Sequence, residues 1–284
     1  MRKVNKYFVF IVVGLLCFAV GIKNSRAQEY INYNDIRMTM EEYNTLLNLG
    51  FTENQIYHMD QETYENNKDL DAKLVSQTTR YYKTISSAYG TGYDVEISEE
   101  EYNQVSTERT GFDRGYVDTT YKTITSSISQ NGSKYRYNVS TVWKIMPSTR
   151  SYDIIGIGFA DSVSISNSAV YFSYTYANAS WQYTTSSTYA NKKALSTGGA
   201  VAYKLPTGTI KSLSASLYYD VVKSTSSTIT SLSICGDYAH ATSNVSVSNV
   251  ANYSISIYGI NLGSGLAGNY DATPCAMEYA NVSW

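Results

Sequence analysis

Between Val117 and Met146 two runs of alternating residues flank the dipeptide Asn131-Gly132, and this arrangement limits the possible folds more than any other feature of the chain. Asn-Gly favours a type I′ turn, because both central residues must take positive φ. With these two as the turn, Ile128 falls opposite Tyr135, Ser126 opposite Tyr137, Ile124 opposite Val139 and Thr120 opposite Trp143. On the other face Ser129 meets Lys134, Ser127 meets Arg136 and Thr125 meets Asn138. One register thus sorts both strands into an apolar and a polar face. An apolar sheet face has to be covered by a second layer.

The period of two starts near Leu74 and persists to the end of the chain. It recurs at 154–159, 169–176, 199–205, 213–222, 229–235, 245–247 and 253–257. With the hairpin and a strand near 75–85, this predicts about ten strands separated by Ser/Asn/Gly turns. The chain has 37 Ser, 28 Thr and 29 Tyr but only 3 Pro, a composition suited to strands with one hydroxylated face. The 43% hydrophobic fraction excludes wholesale disorder. The expected fold is mainly β, an antiparallel β-sandwich or barrel with a small N-terminal helical module. The expected divisions are a signal peptide at 1–27, an acidic short-helix module at 28–73 and a β domain at 74–284, with a division of the last into sub-sheets or sub-domains near 147–160 left open.

The signal peptide rests on Arg2, Lys3 and Lys6 ahead of an apolar run from Tyr7 to Ile22, followed by Ser25-Arg26-Ala27. A retained anchor is the alternative, since the run approaches the length of a short spanning helix. Residues 1–27 carry five positive charges and no negative ones, so their removal takes the net charge from −2 to −7. Residues 28–73, with ten acids and three bases, account for that surplus. A basic face for nucleic acid is therefore excluded.

Within the acidic segment, Thr39-Met40-Glu41-Glu42 and Thr52-Glu53-Asn54-Gln55 have the spacing of capping boxes, and Asp60 can cap a third short helix. Gly50 can end the first helix in the left-handed region. The run Leu46-Leu47-Asn48-Leu49-Gly50-Phe51-Thr52 with Gln55-Ile56 resembles the helix–loop–helix of ubiquitin-associated-type three-helix domains over 39–66. That likeness implies mutual packing of three short helices. The hairpin, its continuation through Ile157 and the later run Gly236-Asp237-Tyr238-Ala239-His240-Ala241-Thr242 resemble segments of uncharacterised exported β-rich proteins of Gram-positive bacteria. This second likeness implies secretion or cell-surface location and carries over no catalytic residue.

Chemistry is sparse. Cys235 and Cys275 are the only cysteines beyond the signal segment and make a possible disulfide. Two histidines, His58 and His240, leave little for metal or triad chemistry, so no metal, cofactor or catalytic residue is assigned. His58 reads as a surface residue, and Asp237 as a turn residue capping backbone N–H groups. After Ser151 the acids are Asp153, Asp161, Asp220, Asp237, Asp271 and Glu278, and a hydrolase would need two of them in a cleft. Aromatics are denser: Tyr171, Tyr174, Trp181 and Tyr183 are the candidate ligand-binding residues, since ring faces stack on the apolar faces of sugars. The function expected is a non-catalytic surface or secreted binding protein for carbohydrate or cell-envelope polymer, its oligomeric state open. The alternatives are a pore-forming protein inserting the 117–146 hairpin, with Lys122 near the edge of the membrane band, and a secreted hydrolase.

Overall fold

The computed structural model of the protein describes residues 29–87, 92–106, 117–160, 162–271 and 273–284; the signal segment at 1–27 and Asp161 lie outside them. In chain order, β1 (Glu29–Ile31) and β2 (Arg37–Thr39) precede α1 (Met40–Asn48), α2 (Glu53–Tyr57) and α3 (Gln61–Glu65). Then come β3 (Ala72–Ser87), β4 (Gly92–Ile97), α4 (Glu99–Gln104), β5 (Val117–Asn131), β6 (Lys134–Ile145), β7 (Tyr152–Phe159) and β8 (Val163–Ile165). The second half holds β9 (Tyr171–Asn178), β10 (Tyr183–Ser186), β11 (Asn191–Leu195), β12 (Gly198–Lys204), β13 (Ile210–Lys223) and β14 (Ser231–Ala239). It closes with α5 (Val247–Val250), β15 (Tyr253–Ser256), β16 (Gly259–Leu262) and β17 (Ala276–Asn281).

The architecture is an antiparallel sandwich. One sheet runs β10-β9-β13-β6-β5-β3-β4, with β8 also paired to β13; the other runs β11-β12-β7-β14-β17. Between them Ile124, Ile128, Tyr137, Val139, Trp143, Leu217 and Tyr219 meet Ile155, Ile157, Phe159, Val201, Tyr203, Ile234 and Tyr238 in one buried cluster. Outside the larger sheet, α1–α3 form a second core from Leu46, Leu49, Phe51, Ile56, Met59 and Tyr64 against Tyr218. Outside the smaller one, the β15–β16 hairpin and its flanks form a third, in which Val250, Tyr253 and Ile255 cover Ile154, Ala200 and Ala239. Seventeen strands among the described residues exceed the ten expected. Five of the extra ones, β1, β2, β8, β10 and β16, have only three or four residues, which leaves almost no periodicity to read, and β4, β11 and β17 have five or six. The run expected as a strand at 245–247 instead enters α5, because Ser246 caps it by accepting from the N–H of Asn249.

The central hairpin sorts its faces as the alternation demands, but its register is shifted by two residues. Asn131 pairs with Lys134, Ile128 with Tyr137 and Ser126 with Val139, so Gly132 and Ser133 form the turn. Gly132 has φ +58° and Ser133 does not have positive φ, which confines the left-handed requirement to the residue without a Cβ. Asn131 is then free to stay in the ladder, where its side-chain amide donates to Asp220 at 3.2 Å. The face read as polar is not wet: Ser127, Ser129, Arg136 and Asn138 are all buried. The Gly50 carbonyl accepts from Asn138 at 2.6 Å and from Ser127 at 3.4 Å. Gly50 has φ +86°, and a Cβ there would lie 2.1 Å from Ser127 Oγ, so only glycine lets the loop after α1 come this close. Both capping boxes form, at Thr39–Glu42 and Thr52–Gln55, and Asp60 caps α3.

Candidate functional site: a hydroxyl-lined groove

Where the helical module leaves the larger sheet, a groove of about 260 Å³ opens between the α2–α3 region and the outer face of β9, β10 and β13. Alternation builds its floor. On β13 the residues Leu213, Ala215 and Leu217 face the sandwich core, which turns Ser214, Ser216 and Tyr218 outward; on β9 the outward residues are Tyr171, Ser173 and Thr175, and all six line the groove. Cross-strand hydroxyl pairs fix the floor, Ser173 to Ser216 at 3.1 Å and Thr175 to Thr185 at 2.9 Å. Thr185 also donates to the carbonyl of His58 at 3.3 Å. Tyr171 stacks on Tyr218 at 4.9 Å with planes 13° apart, and 48% of its surface remains exposed. Tyr189 lines the same groove and is 46% exposed. Asp60 and Glu62 bring carboxylates to the module side.

His58 is buried, not a surface residue: its ring stacks on Tyr183 at 4.2 Å and lies 5.6 Å from Tyr33. Burial pushes its imidazole down to about 4, so it is neutral at ordinary pH. This neutrality keeps the groove free of positive charge from the one histidine that lines it.

The four aromatics singled out from the sequence do not form one surface. Tyr171 lines the groove, whereas Tyr183 packs beside it against His58 and Tyr33. Tyr174 points to the opposite face, half-buried against Tyr203 and Phe172. Trp181 sits in the β9–β10 turn at φ +61°, 56% exposed and outside the groove. Tyr189, Tyr218 and the hydroxyl ladder were not singled out, although the outward Ser-x-Ser-x-Tyr of β13 beside an inward Leu-x-Ala-x-Leu was a legible signal.

No family model matches the chain, and no curated protein does. Among solved structures, the collagen binding domain of the Erysipelothrix rhusiopathiae surface protein RspB overlaps 43% of this chain and 56% of its own, with 8% identity and a TM-score of 0.27. The match thus spans little more than half the length of that chain, and a likeness of this size carries no argument about fold or function.

A set of buried titratable residues lies away from the groove, Asp153 and His240 between the sheets and Asp237 beneath the β15–β16 hairpin on the outer side of the smaller sheet. Asp153 accepts from Tyr238 Oη at 2.6 Å and from the Ala241 N–H at 3.0 Å, and pairs with His240 Nδ1 at 3.0 Å. Asp237 is buried within β14, not in a turn, and accepts the backbone N–H groups of Tyr238 and Ile260. Burial raises its carboxyl to about 7, against the lowering effect of those two bonds. All these side chains are covered, so a substrate would have to part the two sheets or lift the β15–β16 hairpin to meet them. Lys122, taken in the membrane reading as an edge residue, is fully buried among them; the hairpin that bears it is flanked by β3 and β13. Cys235 and Cys275 are joined as a disulfide with Cα atoms 5.5 Å apart. Among the described residues no group of three or more His, Cys, Asp or Glu could hold a metal, and no helix is long and apolar enough to cross a membrane.

Proposed function

We propose that this is an exported, non-catalytic binding protein for a carbohydrate-type cell-envelope or extracellular polymer, released from its leader after residue 27, and that the groove between the helical module and the larger sheet is where the polymer docks. The observation that carries this reading is the floor of paired Ser and Thr hydroxyls flanked by the exposed rings of Tyr171 and Tyr189. Hydroxyls that both donate and accept match sugar hydroxyls, while an exposed tyrosine face takes the apolar face of a pyranose. The acidic module and the carboxylates of Asp60 and Glu62 favour a neutral polymer over a polyanion. The buried acids lie away from the open groove, and this separation supports binding over hydrolysis.

The test is retention on insoluble neutral polysaccharides and on peptidoglycan, with Tyr171→Ala and Trp181→Ala compared. The reading predicts retention that drops at least tenfold in Tyr171→Ala and is unchanged in Trp181→Ala. Absence of retention on every polymer tried, or loss in Trp181→Ala alone, would count against it.

A further inference from the structure

Lys122 Nζ lies 2.6 Å from Asp271 Oδ2 and 2.7 Å from Asp94 Oδ2, and all three side chains are completely covered. The rings of Trp143 and Tyr238 close over the nitrogen at 5.1 and 5.5 Å. Thr273 is 3.2 Å from Nζ and donates to Asp94 Oδ2. Asp271 Oδ1 accepts the backbone N–H of His240 at 2.7 Å, whereas Asp94 Oδ1 is buried with no hydrogen-bond partner. Two carboxylates against one ammonium would leave a net negative charge in a dry site. That imbalance is relieved if one carboxyl keeps a proton.

We propose that these three residues form an autocatalytic covalent cross-link, an amide between Lys122 Nζ and Asp271 Cγ, with Asp94 as the proton relay. The assignment of roles follows from the partners. The His240 N–H polarises the Asp271 carbonyl, as a donor aimed at a developing oxyanion does, and the free Oδ1 of Asp94 is open to receive a proton. Burial, then the charge of Asp94, raises the Asp271 carboxyl to about 6, which supports Asp271 as the protonated partner.

The step balances without any further reagent. Asp94 takes one proton from the Lys122 ammonium, and the neutral amine adds to Cγ of the Asp271 carboxylic acid, forming the C–N bond. The nitrogen then gives up a second proton, which reaches the Asp271 hydroxyl; the C–O bond breaks and water leaves. Asp94 is left holding the first proton. In bulk water an ammonium and a carboxylate do not condense, but fixed contact in a water-excluded site supplies the high effective concentration the reaction needs. The bond would tie β5 of the larger sheet to the segment just before β17 of the smaller one, across a separation of 149 residues. Together with the Cys235–Cys275 bridge, it would anchor β17 and its approach covalently on both sides. This inference does not depend on the groove.

Intact mass of the purified protein decides it. The expected mass is that of the sequence less the two hydrogens of the disulfide and less one water, with Lys122→Met and Asp94→Asn lacking the water deficit. After reduction and trypsin, the peptide 115–134, uncleaved at Lys122, should be joined to 224–284. A folded wild-type protein with no water deficit would overturn the proposal, and that result needs no variant to fold. So would a deficit that persists in Lys122→Met; linkage of 115–134 to 84–109 would overturn the assignment of Asp271 as the acyl partner.

Discussion

Both faces of the larger sheet are covered over its central strands β5 and β6, yet they are built from opposite materials. Its inner face meets the smaller sheet through Ile124, Ile128, Tyr137, Val139 and Trp143, with Lys122 and its acids enclosed among them. Its outer face meets the helical module through hydrogen bonds from Asn138 to the Gly50 carbonyl at 2.6 Å and from Arg136 to Asn67 at 2.5 Å, and through Tyr218 against Phe51, while Arg136 is held in place by Asp220 of β13 at 2.8 Å. The Arg136 guanidinium also lies 4.5 Å from the Tyr218 ring centroid. A polar interface leaves gaps that water or a sugar can fill, while an aromatic one packed to crystal-like density leaves none. This contrast places the groove on one face and the enclosed Lys122 trio on the other.

Breaking the inner contact should have the largest effect. Trp143→Ala removes a ring that packs against Tyr238 and His240 and should cost about 3–5 kcal/mol, read as a single shifted transition in chemical denaturation. Gly50→Ala should act on the outer contact alone, at roughly 1–3 kcal/mol, from the positive φ and the clash with Ser127. Its signature is proteolytic cleavage within 29–71 while the sandwich stays resistant. If Gly50→Ala instead unfolds the whole chain in one step, the two faces are not energetically separate.

Two buried groups, Asp237 beneath the β15–β16 hairpin and His58 of the helical module, stacked on Tyr183, should respond oppositely to pH. Folded Asp237 holds its proton up to about 7, and the unfolded chain releases it near 3.8, so this group makes the protein less stable as pH rises through that window, by at most about 1.4 kcal/mol per unit. Asp237→Asn should remove that decline. His58 works the other way: its folded value near 4 lies below the ordinary 6.5, so stability is lost as pH falls through that range and His58→Gln should flatten it. Melting temperature against pH for both variants separates the two slopes. The smallest effect is expected for Trp181→Ala, within about 0.5 kcal/mol of wild type, because the ring is 56% exposed and lies outside both contacts.

Much of this contrast could be read before the fold was known. The capping boxes placed α1 and α2 because their chemistry is local, and alternation separated Ile124 and Ile128 from Ser127 and Ser129. Register was less legible: shifting the hairpin by two residues leaves every side chain on its own face, and only the freedom of Asn131 to stay in the ladder distinguishes the two pairings. The burial of the polar face was invisible, since nothing in Arg136 or Asn138 announces that a module 88 residues away supplies the Gly50 carbonyl. Lys122 carried the one clue to the enclosed cluster. It shares the parity of Ile124 and Ile128, and a lysine on an apolar face requires buried counter-charges. Which acids supply them depends on tertiary contacts and could not be read from spacing.

Amide hydrogen exchange with and without a soluble fragment of a retained polysaccharide tests the central claim most directly. The account predicts new protection confined to 171–175, 185–189 and 51–63, with β5, β7 and β14 unchanged. Protection centred on the β9–β10 turn around Trp181, or at the exposed edge of the smaller sheet with the groove unaffected, would contradict it.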